Sequence, residues 1–363
     1  MRVHRRAAAD HAGPQPQGGG PVSIVSANKT RSLKRSTRSR SVGLALAAAV
    51  LLATVFAVSG GEYSLSPWRV LTILFGGGEG LETTVVWQWR MPRATAALVF
   101  GAGLAVSGAV FQTLTRNPLG SPDIIGFSTG AYTGALVVLT VVGGGFLATS
   151  LGALAGGLLT AFVVYLLAWR NGTHGFRLIL VGIGVSAVLA SFNHYLVLRA
   201  ELDVAMAAAV WGAGTLNGVT WAGVIPVSIV VLASLAAVLV GSKSLQMLQM
   251  GDDLASALGM KVERTKLVLV TLAVLLVSAV TALAGPIAFV ALVAPQLARR
   301  LVGGGSLNLI PTALTGAFLL ALGDLLAQRL FAPIQLPVGV VTVCIGGIYL
   351  VYLLNRGTQK VRG

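Results

Sequence analysis

Residues Arg90–Gly130 read RMPRATAALVFGAGLAVSGAVFQTLTRNPLGSPDIIGFSTG, and this stretch decides the fold. Arg90, Pro92 and Arg93 stand at one end, and Arg116, Asn117 and Pro118 close the other. Between Ala94 and Leu114 there is no charge. About twenty such residues match the ~30 Å hydrocarbon core of a bilayer. Gly101, Gly103, Ser107 and Gly108 fall about a helical turn apart and admit close approach of another helix. Pro92, with no N–H and a fixed φ, favours a helix start there and puts Arg90 at the membrane surface. The stretch therefore predicts a packed membrane helix with structured ends.

The rest of the chain agrees. Only 10% of residues are charged, 55% are hydrophobic, 46 are glycine, and mean hydropathy is +0.84. A soluble domain carries about 25% charged residues. Apolar segments fall at 42–59, 93–114, 124–142, 147–168, 177–198, 219–240, 266–284, 286–302, 309–331 and 338–354. The expected architecture is an all-α polytopic membrane protein of about ten spans, residues 41–363, behind a basic arm at 1–40. The arm holds nine of the 26 Lys and Arg against a single acid, Asp10, and its composition predicts disorder. It is read as a topogenic flank for span one or as a contact for anionic membrane lipid. The forty-residue charged leader is too long for a cleaved signal peptide. With the N-terminus inside, 21 basic residues fall inside and five outside, and the asymmetry survives removal of the arm. Both termini are thus expected in the cytoplasm. This distribution, not nucleic-acid binding, accounts for the pI near 11.0.

Residues 243–266 form the longest inside connection after the arm. Asp252 and Asp253 suit a first helical turn, Leu254, Ala257 and Leu258 give an apolar face, and Gly259 can end the helix. On span three Gly126, Gly130 and Gly134, each four apart, mark a packing face.

The Arg90–Gly130 stretch also resembles the permease subunits of ABC importers for iron-siderophores, haem and cobalamin. That family carries R-x-P-R, a small-residue helix ending in G-A-x-x-Q, then R-N-P-L-x-x-P. Further matches are Trp211-Gly-Ala-Gly-Thr-Leu216 with Trp221, Gly285-Pro-Ile-Ala-Phe-Val290 with Pro295-Gln-Leu-Ala-Arg299, and Asp324 with Leu336-Pro-Val-Gly-Val-Val-Thr342. The departures are Gln296 for a histidine, Gln335 for an acid, Ile348 for a proline, and Gln328 in an arginine register with Arg329 one residue later. The resemblance implies a type II ABC importer permease fold and the import of a ferric siderophore, with haem or cobalamin as alternatives. Implied partners are two ATP-binding subunits, a second permease and an extracytoplasmic siderophore-binding protein. The shifted Arg329 and neutral Gln335 favour a heterodimer of permeases over a homodimer.

The same resemblance assigns roles to residues. Gly251, Ala255, Leu258, Gly259 and Val262, with Arg264 beside them, occupy the loop that docks on the ATPase. Arg90 and Arg329 would dock the binding protein, since in the family's cobalamin permease the R-x-P-R arginine pairs with a glutamate there. Arg93 is expected to snorkel to lipid headgroups. Span five would line the translocation path, with Ile183, Ser186, Asn193 and His194.

Catalytic chemistry is not expected of the chain itself. Gly303-Gly-Gly-Ser306 lacks the lysine of a phosphate loop, no His/Cys/Glu cluster has metal-ligand spacing, and no cofactor is implied. Cys344 is alone, in an apolar run, and reads as a small buried hydrophobe. His194 is the one histidine within a span: a functional candidate by position, or a neutral group bonded to a neighbouring helix. Asp324 reads as structural. An ion-coupled secondary transporter usually needs buried carboxylates for its ion, and acids are nearly absent from these spans.

Overall fold

The computed structural model describes residues 21–61, 63–168, 175–303 and 307–359. All regular structure among them is helical. The helices are α1 (Pro21–Ser59), α2 (Pro67–Leu74), α3 (Gly80–Thr84), α4 (Met91–Leu114), α5 (Pro122–Ile125), α6 (Phe127–Val137), α7 (Phe146–Ala168), α8 (Gly175–Arg199), α9 (Leu202–Gly212), α10 (Trp221–Val240), α11 (Ser242–Gln249), α12 (Asp252–Ala257), α13 (Val262–Ala284), α14 (Val290–Val302), α15 (Leu309–Arg329) and α16 (Val338–Gln359). Seven helical segments are long and apolar enough to cross a membrane, and 127–142, 202–212 and 338–352 are shorter apolar helices.

α4 is the hub. Its neighbours are α10, α13, α14 and α15, and small residues set each approach. A Cβ on Gly101 or Gly316 would strike the other's backbone, so α4 and α15 meet main chain to main chain. Gly108 lies on the Ala291 carbonyl of α14, and Gly103 lies under Val231 of α10. Ser107 Oγ donates to the Ala273 carbonyl of α13 at 2.7 Å. Gln112 Nε2 donates to the Leu292 carbonyl at 2.9 Å. Four neighbours thus use different faces of one helix that carries no charge from Ala94 to Leu114.

The ends depart from expectation in ways that have physical causes. α4 does not begin at Pro92: a π-helical turn, Val85–Arg90, joins it to α3. Pro92 has no N–H to give the preceding turn and its ring crowds it, and a widened turn accommodates both. Residues 124–142 are not one helix. Gly126, at φ 92°, breaks them into α5 and α6, and a second π turn covers Val138–Val142. α14 has only 13 residues, about 20 Å, too short to cross alone. The irregular segment 285–289 completes its path, with Gly285 and Ile287 buried in protein. Membrane-depth coil is tolerated only in that setting. α9 falls outside the apolar segments expected from the sequence. Residues 1–20 of the basic arm lie outside the described residues, whereas 21–40 are helical and continuous with span one. Pro21 opens this helix, and neither proline nor glycine follows until Gly43. Cys344 is exposed rather than buried, on a face of α16 shared with exposed Val340, Val343 and Ile348.

Candidate functional site

At the end that the charge pattern places inside, the connection between α10 and α13 folds into α11 and α12. Gly251, at φ 118° and ψ 152°, joins them in a region open essentially to glycine alone, and Gly259 leaves α12 at φ 86°. Leu245 and Leu248 are buried beneath α11. Asp252, in the first turn of α12, accepts from Arg116 Nη2 at 2.9 Å and from Lys266 Nζ at 2.8 Å. Arg116 ends α4 with φ 50°, and Lys266 lies near the start of α13 and is 7% exposed. One carboxylate therefore pins α12 between the ends of two spans.

This anchoring turns α12 in a definite direction. Ala255 is fully buried in the core and Val262 is half-buried against it, so neither belongs to an outward face. Met250, Leu254 and Leu258 are 64%, 47% and 59% exposed, at four-residue spacing, with Arg264 exposed nearby. Ala255 and Val262, which the resemblance assigns to the docking loop, turn into the core of this chain.

At the opposite end a basin forms around the last carbonyls of α1. Arg90 donates through Nη1 to the Val58 carbonyl at 2.7 Å and through Nη2 to the Tyr63 carbonyl. Arg329 donates through Nη2 to the Phe56 carbonyl at 3.1 Å. Both guanidinia lie over Gly60 and Gly61, where any Cβ would meet them. The glycine pair, unnoticed in the sequence, is what lets two cations reach the helix end. Cations are favoured there by the helix dipole.

Arg93 does not snorkel. It holds Asp324 in a forked pair, with Nη2 at 2.9 Å from Oδ1 and Nε at 2.9 Å from Oδ2, and it donates through Nη1 to Gln335 at 2.8 Å. Gln328 donates to Asp324 Oδ2 at 2.8 Å. These side chains lie at the outer ends of α4 and α15 and the loop after it. Gln328, in the arginine register, thus turns into the network, and Arg329 turns about one residue's rotation away towards α1.

The candidate path residues on α8 do not share one face. Ile183 and His194 are exposed, whereas Ser186 Oγ lies 3.2 Å from Thr129 Oγ1 of α6 and Asn193 is buried. α8 is the span least covered by the rest of the chain. The three glycines likewise divide: Gly130 and Gly134 lie against Gly156 and Gly152 of α7, while Gly126 meets Ser186 of α8. Among the described residues no group of His, Cys, Asp and Glu could hold a metal ion.

Asp123 is a polar node that sequence reading missed. Its Oδ1 accepts from Ser128 Oγ at 2.6 Å and the carboxyl accepts from the Phe289 N–H, while Oδ2 is enclosed with no partner.

These two faces on a charge-poor helical bundle define an integral-membrane translocation subunit. The chain belongs to the FecCD transport family, which matches residues 49–356. It is 49% identical over 317 residues to the ferric enterobactin transport system permease protein FepG of Escherichia coli (strain K12), covering 87% of this chain and 96% of that protein. It is 36% identical to the iron(3+)-hydroxamate import system permease protein FhuG of Bacillus subtilis (strain 168), covering 85% and 95%. Among solved structures, a chain described as a metal-chelate type ABC transporter in an inward-facing conformation superimposes with a TM-score of 0.77. It is 27% identical and covers 87% of this chain and 99% of that one.

Proposed function

We propose that the chain is the permease subunit of an ABC importer that carries a ferric siderophore across the cytoplasmic membrane. Energy comes from ATP hydrolysed in two partner subunits, a reading supported by the likeness to an ABC transporter. The observation that carries this reading is the apolar pair Leu254 and Leu258, exposed on α12 and its C-terminal cap, with Asp252 pinning that helix to Arg116 and Lys266 and Met250 exposed at the end of α11. An apolar stripe on a fixed cytoplasmic helix is suited to a groove in a protein partner. The cargo class rests on the names of the relatives above.

In this scheme both termini are cytoplasmic, and the uncovered α8 faces the path, with Ile183 and His194 towards it. A second, related permease completes the path from the other side. The loaded binding protein docks on the outer basin, where its carboxylates compete with the α1 carbonyls for Arg90 and Arg329. ATP-dependent uptake of radiolabelled ferric siderophore by liposomes holding the full complex, abolished by vanadate, tests the proposal. Uptake that instead follows an imposed pH gradient without ATP would refute it.

Docking charge makes a separate prediction. Arg329→Glu and Arg90→Glu should each raise the binding-protein concentration for half-maximal uptake roughly fivefold, as about 1 kcal/mol of rim electrostatics would do. The effect should shrink at high salt, with basal ATPase activity unchanged. Unaltered affinity at low salt in both variants would remove the basin as the docking site.

A further inference from the structure

The inner end of α14 carries a concentration of positive charge that neither coupling nor docking uses. Arg299 is the centre of it: its Nε and Nη2 are enclosed and have no hydrogen-bond partner. Arg300 follows, with Cζ 5.7 Å above the centre of the Tyr349 ring of α16. The Tyr349 hydroxyl is also enclosed without a partner. From α1, Arg38 reaches across and donates through Nε to the Leu301 carbonyl at 3.2 Å, its guanidinium lying over Gly303. The ion pairs among the described residues join Arg69 to Glu82, Arg93 to Asp324, Arg116 to Asp252, and Lys266 to Asp252 and Glu263. None involves these three arginines.

The dipole of α14 favours cations at its last turn, but it supplies no acceptor for Arg299 Nε or Nη2. A guanidinium with two enclosed donors unmet is costly unless an anion meets it. The planar fork of donors matches the oxygens of a phosphate. Two features narrow the source. The charge pattern places this turn at the inner boundary of the membrane, where anionic lipid headgroups lie. Beside it, α16 presents exposed Ile348 and Val351, and Leu301 is partly exposed, which gives an acyl chain an apolar wall.

We propose that the inner end of α14 binds the headgroup phosphate of an anionic phospholipid. Arg299 is the enclosed donor, Arg300 and Arg38 flank it, Tyr349 Oη adds a neutral donor, and the acyl chain runs along α16. The site is independent of the transported cargo.

The test uses the assembled transporter, purified in detergent and stripped of lipid. Phosphatidylglycerol, phosphatidylcholine and inorganic phosphate are added in separate arms, with bound lipid read by native mass spectrometry and stability by Tm. Phosphatidylglycerol should bind and raise the Tm, and the other two should do neither at equal concentration. Arg299→Gln should weaken phosphatidylglycerol binding about tenfold or more, the scale expected for losing charge-assisted hydrogen bonds. Should that variant not fold, the double variant Arg38→Gln with Arg300→Gln, both exposed positions, must weaken binding as well. Equal binding by variant and wild type overturns the site. So does equal protection by inorganic phosphate, which makes it a simple anion site. Loss of the ATPase subunits from Arg299→Gln with lipid binding intact would assign the guanidinium to a protein carboxylate instead.

Discussion

Replacing Leu258 by arginine is expected to abolish association with the ATP-hydrolysing subunits while leaving the permease inserted and folded. Leu258 is 59% exposed and touches little within the chain, so its own fold has little to lose. In a partner's groove, however, the new guanidinium would be buried unpaired, a cost of several kcal/mol and therefore a loss of binding of about a thousandfold. Leu254→Arg should behave alike. Ala255→Arg provides the contrast: Ala255 is fully buried, so the substitution should unfold the α11–α12 turn and lower expression. Co-purification of the ATPase with all three variants, read against Tm, separates these effects. Intact co-purification and transport in Leu258→Arg would exclude this face as the dock.

The second large effect concerns Arg93 and Asp324. Their side chains are 13% and 4% exposed, and the pair is satisfied further by Gln335 and Gln328. Removing one partner of such a pair leaves the other charge enclosed, at a cost of about 3–5 kcal/mol. Asp324→Ala should therefore lower the Tm by many degrees and depress expression. Combining it with Arg93→Met, which removes the stranded charge, should restore most of the loss. A double variant no more stable than Asp324→Ala would show that the pair is not what holds the outer ends of α4 and α15 together. Binding-protein affinity serves as the internal check, since the docking proposed above rests on Arg90 and Arg329 rather than on this pair.

The local part of this architecture was legible in the sequence, and the long-range part was not. The hub helix could be read because length, absence of charge and small-residue spacing all lie within Ala94–Leu114. Asp252, Asp253 and Gly259 marked the limits of α12 for the same reason. The side of α12 that faces out could not be read, because Ala255 and Leu258 are both apolar and only the Asp252 contacts to Arg116 and Lys266 fix its rotation. Arg93 was misassigned because its partner is 231 positions away. Nothing near Arg93 in sequence distinguishes a paired arginine from a snorkelling one. α9 was passed over because eleven residues, Asp203 among them, are too few to span a bilayer, although Tyr132 donates to its Ala208 carbonyl at 3.0 Å and holds it in place.

α4 has one more consequence. Arg90 and Arg93 stand at its outer end and Arg116 at its inner end, so the basin and the pinned turn of α12 are attached to opposite tips of a single rod. Its 24 residues extend about 36 Å. At Gly101 and Gly108 main chain meets main chain, with no side chain between to absorb a displacement by changing rotamer. A tilt imposed at one tip must therefore emerge at the other, with the sense reversed about whichever neighbour acts as fulcrum. A protein arriving outside the membrane and a protein working inside it would be pushing on the two arms of the same lever.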